Sequence, residues 1–262
     1  MKRTGTWRSA ACLLTGLLLS AGCEDSPARD DRDATNPEPA PLELTVMTYN
    51  VLCSFCDPTY DPWDDRLGYH QDIFNRHEPD LIGLQELTFD HEVAEYLTLN
   101  PAYEAVYFET DDPNALMPAY PDQTILYRKD RFHEIERGFF WLSPTPDEPF
   151  TVGFAQGASQ FWRLVGWVLL EQDADGRRFY LVNTHFDNNP PSQELSGPLV
   201  YERLADLVAA HPVILTGDFN TGPGDAAYAT LVEGADGHDW HFIDVWDMAD
   251  DRLAITGDAS AP

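Results

Sequence analysis

Polar residues stand where apolar runs stop. "TYN" ends at Asn50, "LIGLQE" at Glu86, "LVNTH" at His185, and "VILTGDFN" at Asp218 and Asn220. A buried strand has no use for a carboxylate at its end unless that group is paired, because an unpaired buried charge is costly. The residue types make chemical sense together. Glu86 offers hard oxygen to a divalent cation, while Asn50 and Asn220 can donate to phosphate oxygens without adding negative charge. His185 can stabilise the charge of a phosphoryl transition state, and Asp218 can orient or deprotonate a water. Each also has a plainer reading: Asn50 as a strand stop, His185 as a hydrogen-bonded structural histidine, Asp218 and Asn220 as an Asx turn. Convergence is what favours a site, since ligands of open α/β sheets gather outside the carboxyl ends of the strands.

The elements that must position these residues alternate. Strand-like runs cover 44–52, 79–87, 102–109, 123–129, 163–172 and 178–186, with a last one at Val213 to Leu215. Helical spacing covers 64–77, and a second helix is expected around 199–211. That alternation predicts an α/β protein with an unusually high share of strand.

At 262 residues, with 43% hydrophobic and 12% aromatic content, the chain can bury a large core and reads as one catalytic-sized domain. Its formal charge is −29, which argues against a protein that sheathes phosphates in lysine and arginine. Residues 1–22 read as an export signal: Lys2, Arg3 and Arg8 precede an apolar run that is too short to span a bilayer. "LLLSAGC" closes it, resembling a bacterial lipoprotein signal whose Cys23 is lipidated. Removing that signal takes away three positive charges and no acid, so −29 becomes −32. Residues 23–41, with four prolines and many charges, read as a lipidated, disordered tether, and 42–262 as the domain. The expected location is the bacterial cell envelope, periplasmic or surface-facing, with membrane attachment through Cys23.

The order of the blocks "TYNVL", "LIGLQEL", "ILYRKD", "FWLSPTP", "LVNTHFDNN" and "VILTGDFNT" resembles the endonuclease/exonuclease/phosphatase superfamily. The resemblance implies a four-layer sandwich of two mixed β-sheets flanked by helices. It implies Glu86 as metal ligand and Asn50 near metal and phosphate, with Mg²⁺ or Mn²⁺ as cofactor. His185, Asp218 and Asn220 match catalytic positions, and Asp187, Asn188, Tyr127 and Arg163 lie in blocks that line the substrate site. Two departures stand out. The acid that an abasic-site endonuclease carries two residues after the asparagine is here Leu52. The family's further C-terminal strands and terminal Ser-Asp-His motif have no match, and His238 and His241 in "GHDWH" sit in a different setting. The chain therefore reads as truncated relative to the family.

"CSFC" supplies Cys53 and Cys56, and in an oxidising envelope such a pair is expected to form a local disulfide. A redox pair lacks a thioredoxin-like context, and a zinc site would need two more ligands. The functional expectation is a divalent-metal-dependent phosphoesterase, monomeric, preferring a small phosphoester or lipid headgroup and holding no nucleic acid stably. A nuclease of the same family and a catalytically impaired phosphate-binding lipoprotein are the alternatives.

Overall fold

Two sheets stack face to face because each carries one buried run after another along its inner surface. The computed structural model describes residues 10–12, 41–56, 59–154, 161–235 and 237–250. The first sheet holds β1 (Ala10–Cys12), β2 (Leu44–Asn50), β3 (Leu81–Gln85), β4 (Tyr103–Glu109) and β5 (Ala119–Arg128), in the order β1-β2-β3-β5-β4. The second holds β6 (Phe132–Trp141), β7 (Leu164–Gln172), β8 (Arg178–His185) and β9 (Val213–Asp218), in sequence order. Both are mixed. β2 runs parallel to β3 and β8 parallel to β9, while β3/β5, β4/β5, β6/β7 and β7/β8 are antiparallel.

Each parallel pair needs a crossover, and a helix provides it. α1 (Trp63–His77) joins β2 to β3, and α3 (Ser192–Ala210) joins β8 to β9. With α2 (Asp90–Leu99), α4 (Ala226–Glu233) and the short α5 (Val245–Met248), they complete the set of helices among the described residues. Phe74, Val93 and Tyr96 from α1 and α2 pack on Met47, Ile82 and Leu84. On the opposite face, Val200, Leu204, Ala227 and Leu231 from α3 and α4 pack on Val165, Tyr180 and Val182. Between the sheets, Leu81 and Ile125 meet Val168, Phe179 and Leu181. The result is the expected helix–sheet–sheet–helix sandwich.

Some boundaries differ from the sequence reading. α3 begins at Ser192, ahead of Pro198, which sits inside the helix. β6 and α2 were not anticipated: β6 is an edge strand with charged residues over its first half, and α2 is a short amphipathic segment. Ala10–Cys12, within the expected export signal, lies antiparallel to β2 with Ala10 opposite Val46. Cys23 lies outside the described residues; among the described residues, no helix is long and apolar enough to cross a membrane.

α1 buries His70 against Tyr96, with rings stacked 5.9 Å apart. Burial first, and the nearby Arg66 second, push its imidazole down to about 4. Unfolded, the same ring takes a proton near pH 6.5. Stability from this group is therefore complete above pH 6.5 and is lost as pH falls from there toward 4, about 2 kcal/mol by pH 5. Urea unfolding at pH 7.5 and pH 5 should show that loss, and His70→Gln should shrink it. Equal losses in parent and variant would contradict the assignment.

Candidate active site

The carboxyl ends of β2, β3, β8 and β9 meet at one edge of the sandwich. Register explains why. Asn50 pairs with Gln85 across the first parallel pair, and His185 with Asp218 across the second. The sheets approach closely just beneath. A Cβ on Gly83 would lie 2.3 Å from Thr216 Oγ1 and 2.4 Å from Asn183 Oδ1, so only glycine fits. A buried polar layer locks this contact: Gln85 donates to Asn183 Oδ1 (2.8 Å), and Asn183 donates to the carbonyls of Leu84 (2.8 Å) and Thr124 (3.1 Å). Fully partnered networks of this kind fix alignment where apolar packing alone would permit slippage.

Above that layer, one amide joins two carboxylates. Asn50 Nδ2 donates to Glu86 Oε1 at 2.7 Å and to Asp218 Oδ2 at 2.9 Å. Asn50 Oδ1 accepts from the Leu52 backbone at 2.9 Å, and Glu86 Oε2 accepts from the Cys53 backbone at 3.0 Å. Three non-glycine residues in these turns adopt positive φ: Leu52 (57°), Glu86 (73°) and Asn220 (47°). Backbone held in this sparsely populated region clusters at functional sites.

A second group lies deeper. Asp122 accepts from Arg163 Nη1 at 2.9 Å through Oδ2 and contacts His185 Nδ1 at 3.0 Å through Oδ1. It also holds the backbone N–H of Glu86, through its carbonyl and its carboxylate, each at 3.0 Å. These three side chains are almost sealed from solvent, at 4%, 9% and 1% exposure for Asp122, Arg163 and His185. Burial by itself would raise the Asp122 carboxyl, but His185 and Arg163 outweigh it and hold the group down at about 2. Asp122 is therefore an anion that only accepts, so Nδ1 of His185 carries a hydrogen. Nε2 is left facing Asp218 Oδ2, 4.0 Å away.

The loop after Asn50 is held by a residue that sequence reasoning missed. Arg66 of α1, buried, donates through Nη1 to the carbonyls of Val51 (2.7 Å) and Leu52, and through Nη2 to that of Cys53 (3.1 Å). It thereby fixes the two backbone N–H groups that orient Asn50 and Glu86. Cys53 and Cys56 form the expected disulfide in this loop.

The endonuclease/exonuclease/phosphatase family model matches residues 47–257. The chain belongs to that family. Among solved structures it resembles a mannosyl-6-phosphatase from Bacteroides thetaiotaomicron at 28% identity and TM-score 0.62, the match covering 72% of this chain and 69% of that one. It also resembles an endonuclease/exonuclease/phosphatase from Bacteroides vulgatus at 26% identity and TM-score 0.60, covering 70% and 68%. TDP2 of D. rerio, solved with a single-strand DNA product, shares the fold at 21% identity and TM-score 0.51, covering 71% and 63%. No curated protein matches the chain. Membership of the family places it among phosphatases and nucleases, which hydrolyse phosphoester bonds.

Within this member of the endonuclease/exonuclease/phosphatase family, the anticipated residues divide. Asn50, Glu86, His185 and Asp218 come together, and Arg163 joins them through Asp122. Asn220 closes the turn beneath Asp218: its backbone N–H donates to Asp218 Oδ1 (3.0 Å) and its side chain to the Phe186 carbonyl (2.9 Å). Asp187 is buried and serves its own turn, accepting from the backbone and side chain of Asn189, each at 2.9 Å, while Asn188 is exposed beside it. Tyr127 is not at the site. It pairs with Leu81, at the far end of β3 from Glu86, and belongs to the core between the sheets. His238 packs its ring on Tyr201 of α3, 5.3 Å away, and so also lies with the helical layer.

The donor set suits a hard divalent cation. Glu86 and Asp218 bring two carboxylates to either side of a single amide, so their repulsion favours a positive charge nearby, and the available atoms are oxygens.

Proposed function

We propose that the chain is a divalent-metal-dependent phosphoesterase acting on a small or lipid-headgroup phosphoester. The observation that carries this reading is the junction at Asn50, whose amide holds Glu86 and Asp218 together beside the His185–Asp122 pair. Glu86 and Asn50 would hold Mg²⁺ or Mn²⁺, which supplies charge neutralisation at the phosphoryl oxygens. Asp218, half-exposed and braced by Asn50 and Asn220, orients the attacking water and takes its proton. His185, fixed by Asp122 through Nδ1, lies in a water-poor wall and donates from Nε2 to a phosphoryl oxygen when both of its ring nitrogens carry a hydrogen. Charge placed in advance in this way stabilises a transition state without reorganisation.

The overall charge of −29 supports a small substrate over long nucleic acid, and a sugar phosphatase among the similar structures points the same way. A nuclease remains the second reading, favoured by the fold shared with a DNA-bound enzyme. Initial rates on small phosphomonoesters, small phosphodiesters and duplex DNA at low ionic strength separate the two. The small esters should be turned over faster, with EDTA abolishing the rate and Mg²⁺ restoring it. Faster cleavage of duplex DNA would overturn the preference. Lipidation at Cys23 would place this activity at the envelope surface, and a mass shift on the mature amino terminus would report it.

A further inference from the structure

The disulfide loop lies against the site rather than apart from it. Cys53 donates its backbone N–H to Glu86 Oε2 at 3.0 Å. Ligand atoms of Cys53, Cys56 and Glu86 all lie within 4.8 Å of one another. Cys53 is buried, Glu86 half-buried and Cys56 exposed, so the Cys56 side of the bridge is the one that faces solvent. Arg66 pins the Val51, Leu52 and Cys53 carbonyls through bonds that do not involve the sulfur bridge.

We propose that reduction of the Cys53–Cys56 disulfide creates a second metal site, in which two thiolates and the Glu86 carboxylate hold a thiophilic divalent cation such as Zn²⁺. The Cys-x-x-Cys spacing is that of zinc sites, where sulfur lies about 2.3 Å and carboxylate oxygen about 2.0–2.2 Å from the metal in a tetrahedron. Three protein ligands leave one position for water. A dithiol supplies the two electrons. Its thiolate attacks Cys56 Sγ, the Cys53–Cys56 bond breaks, its second thiol closes the reductant's own disulfide, and both cysteines are released as thiols. Metal binding then passes the two thiol protons to solvent. Glu86 serves one cation at a time, so the oxidised protein keeps it for the hard metal and the reduced protein commits it to the soft one. That competition, unlike the thiolate site, rests on the phosphoesterase reading.

Cobalt(II) reports the site directly, because thiolate ligation gives a near-ultraviolet charge-transfer band. The full chain would carry Cys12→Ser and Cys23→Ser so that no other thiol competes, and would be reduced, freed of reductant under argon and titrated with Co²⁺. The band should saturate at one equivalent in the reduced protein and be absent from the oxidised one. Cys56→Ser, at an exposed position, should remove most of its intensity with the near-ultraviolet circular dichroism intact. Glu86→Gln should keep the band but weaken affinity about tenfold or more. No band after reduction would overturn the proposal, as would Glu86→Gln binding Co²⁺ as tightly as the parent. If Glu86→Gln loses Mg²⁺-dependent hydrolysis yet binds Co²⁺ unchanged, this inference fails and the phosphoesterase reading stands. Weakened Co²⁺ binding with hydrolysis intact supports the thiolate site and overturns that reading.

Discussion

Asp122→Asn should destabilise the protein by about 3–5 kcal/mol and lower its hydrolytic rate by on the order of a hundredfold or more. The carboxylate is the counter-charge of an Arg163 that is nearly sealed from water, and it accepts from His185 on its other oxygen. A neutral amide leaves the guanidinium buried without its anion, the situation in which breaking a pair costs far more than the pair contributes. It also removes the anion that holds His185 with its hydrogen on Nδ1, so Nε2 would no longer be reliably aimed at the substrate. Removing both charges should be milder than removing one. Asp122→Asn combined with Arg163→Met should recover part of the lost stability in a double-mutant cycle, but not the lost rate. Asp187→Asn is the comparison: that carboxylate serves a local turn, so the rate should change little. Urea unfolding and initial rates measure all of these. A loss below about 1 kcal/mol with an unchanged rate would remove Asp122 from the account.

The same arrangement shows why part of the site was legible in sequence and part was not. Strands β3, β7 and β8 are buried nearly throughout, so they read as continuous apolar runs, and a polar residue at such an end is conspicuous. Glu86 and His185 were found that way, while Asn50 and Asp218 end the apolar runs of β2 and β9, which are only partly buried. Asp122 escaped because β5 is antiparallel to β3, so it brings its amino end, not its carboxyl end, to the site edge. Tyr127 misled for the complementary reason: it lies at the other end of that strand, opposite Leu81. Arg66 left no trace because its partners are backbone carbonyls, which carry no sequence signature. The four-layer arrangement followed from the order of motifs more than from periodicity. Edge strand β6, paired only with β7, shows too little alternation to be read from its residues alone.

Glu86→Gln should cost more activity than any other single change while leaving the fold nearly intact. Glu86 is half-buried, its backbone is held by Asp122, and glutamine can keep the bond from the Cys53 N–H through its one oxygen while giving up the bond from Asn50. What it cannot keep is hard anionic oxygen for a divalent cation. A metal at a phosphoryl centre supplies several kcal/mol of charge stabilisation, and each 1.36 kcal/mol is tenfold in rate, so a loss on the order of a thousandfold is expected. The most direct test is the initial rate of hydrolysis of a small phosphoester against Mg²⁺ concentration, for the parent and Glu86→Gln, with matched circular dichroism. A saturable Mg²⁺ dependence is expected in the parent, and a rate near background in the variant at every Mg²⁺ concentration. Equal rates in the two proteins, or a parent rate indifferent to Mg²⁺ and EDTA, would contradict that expectation.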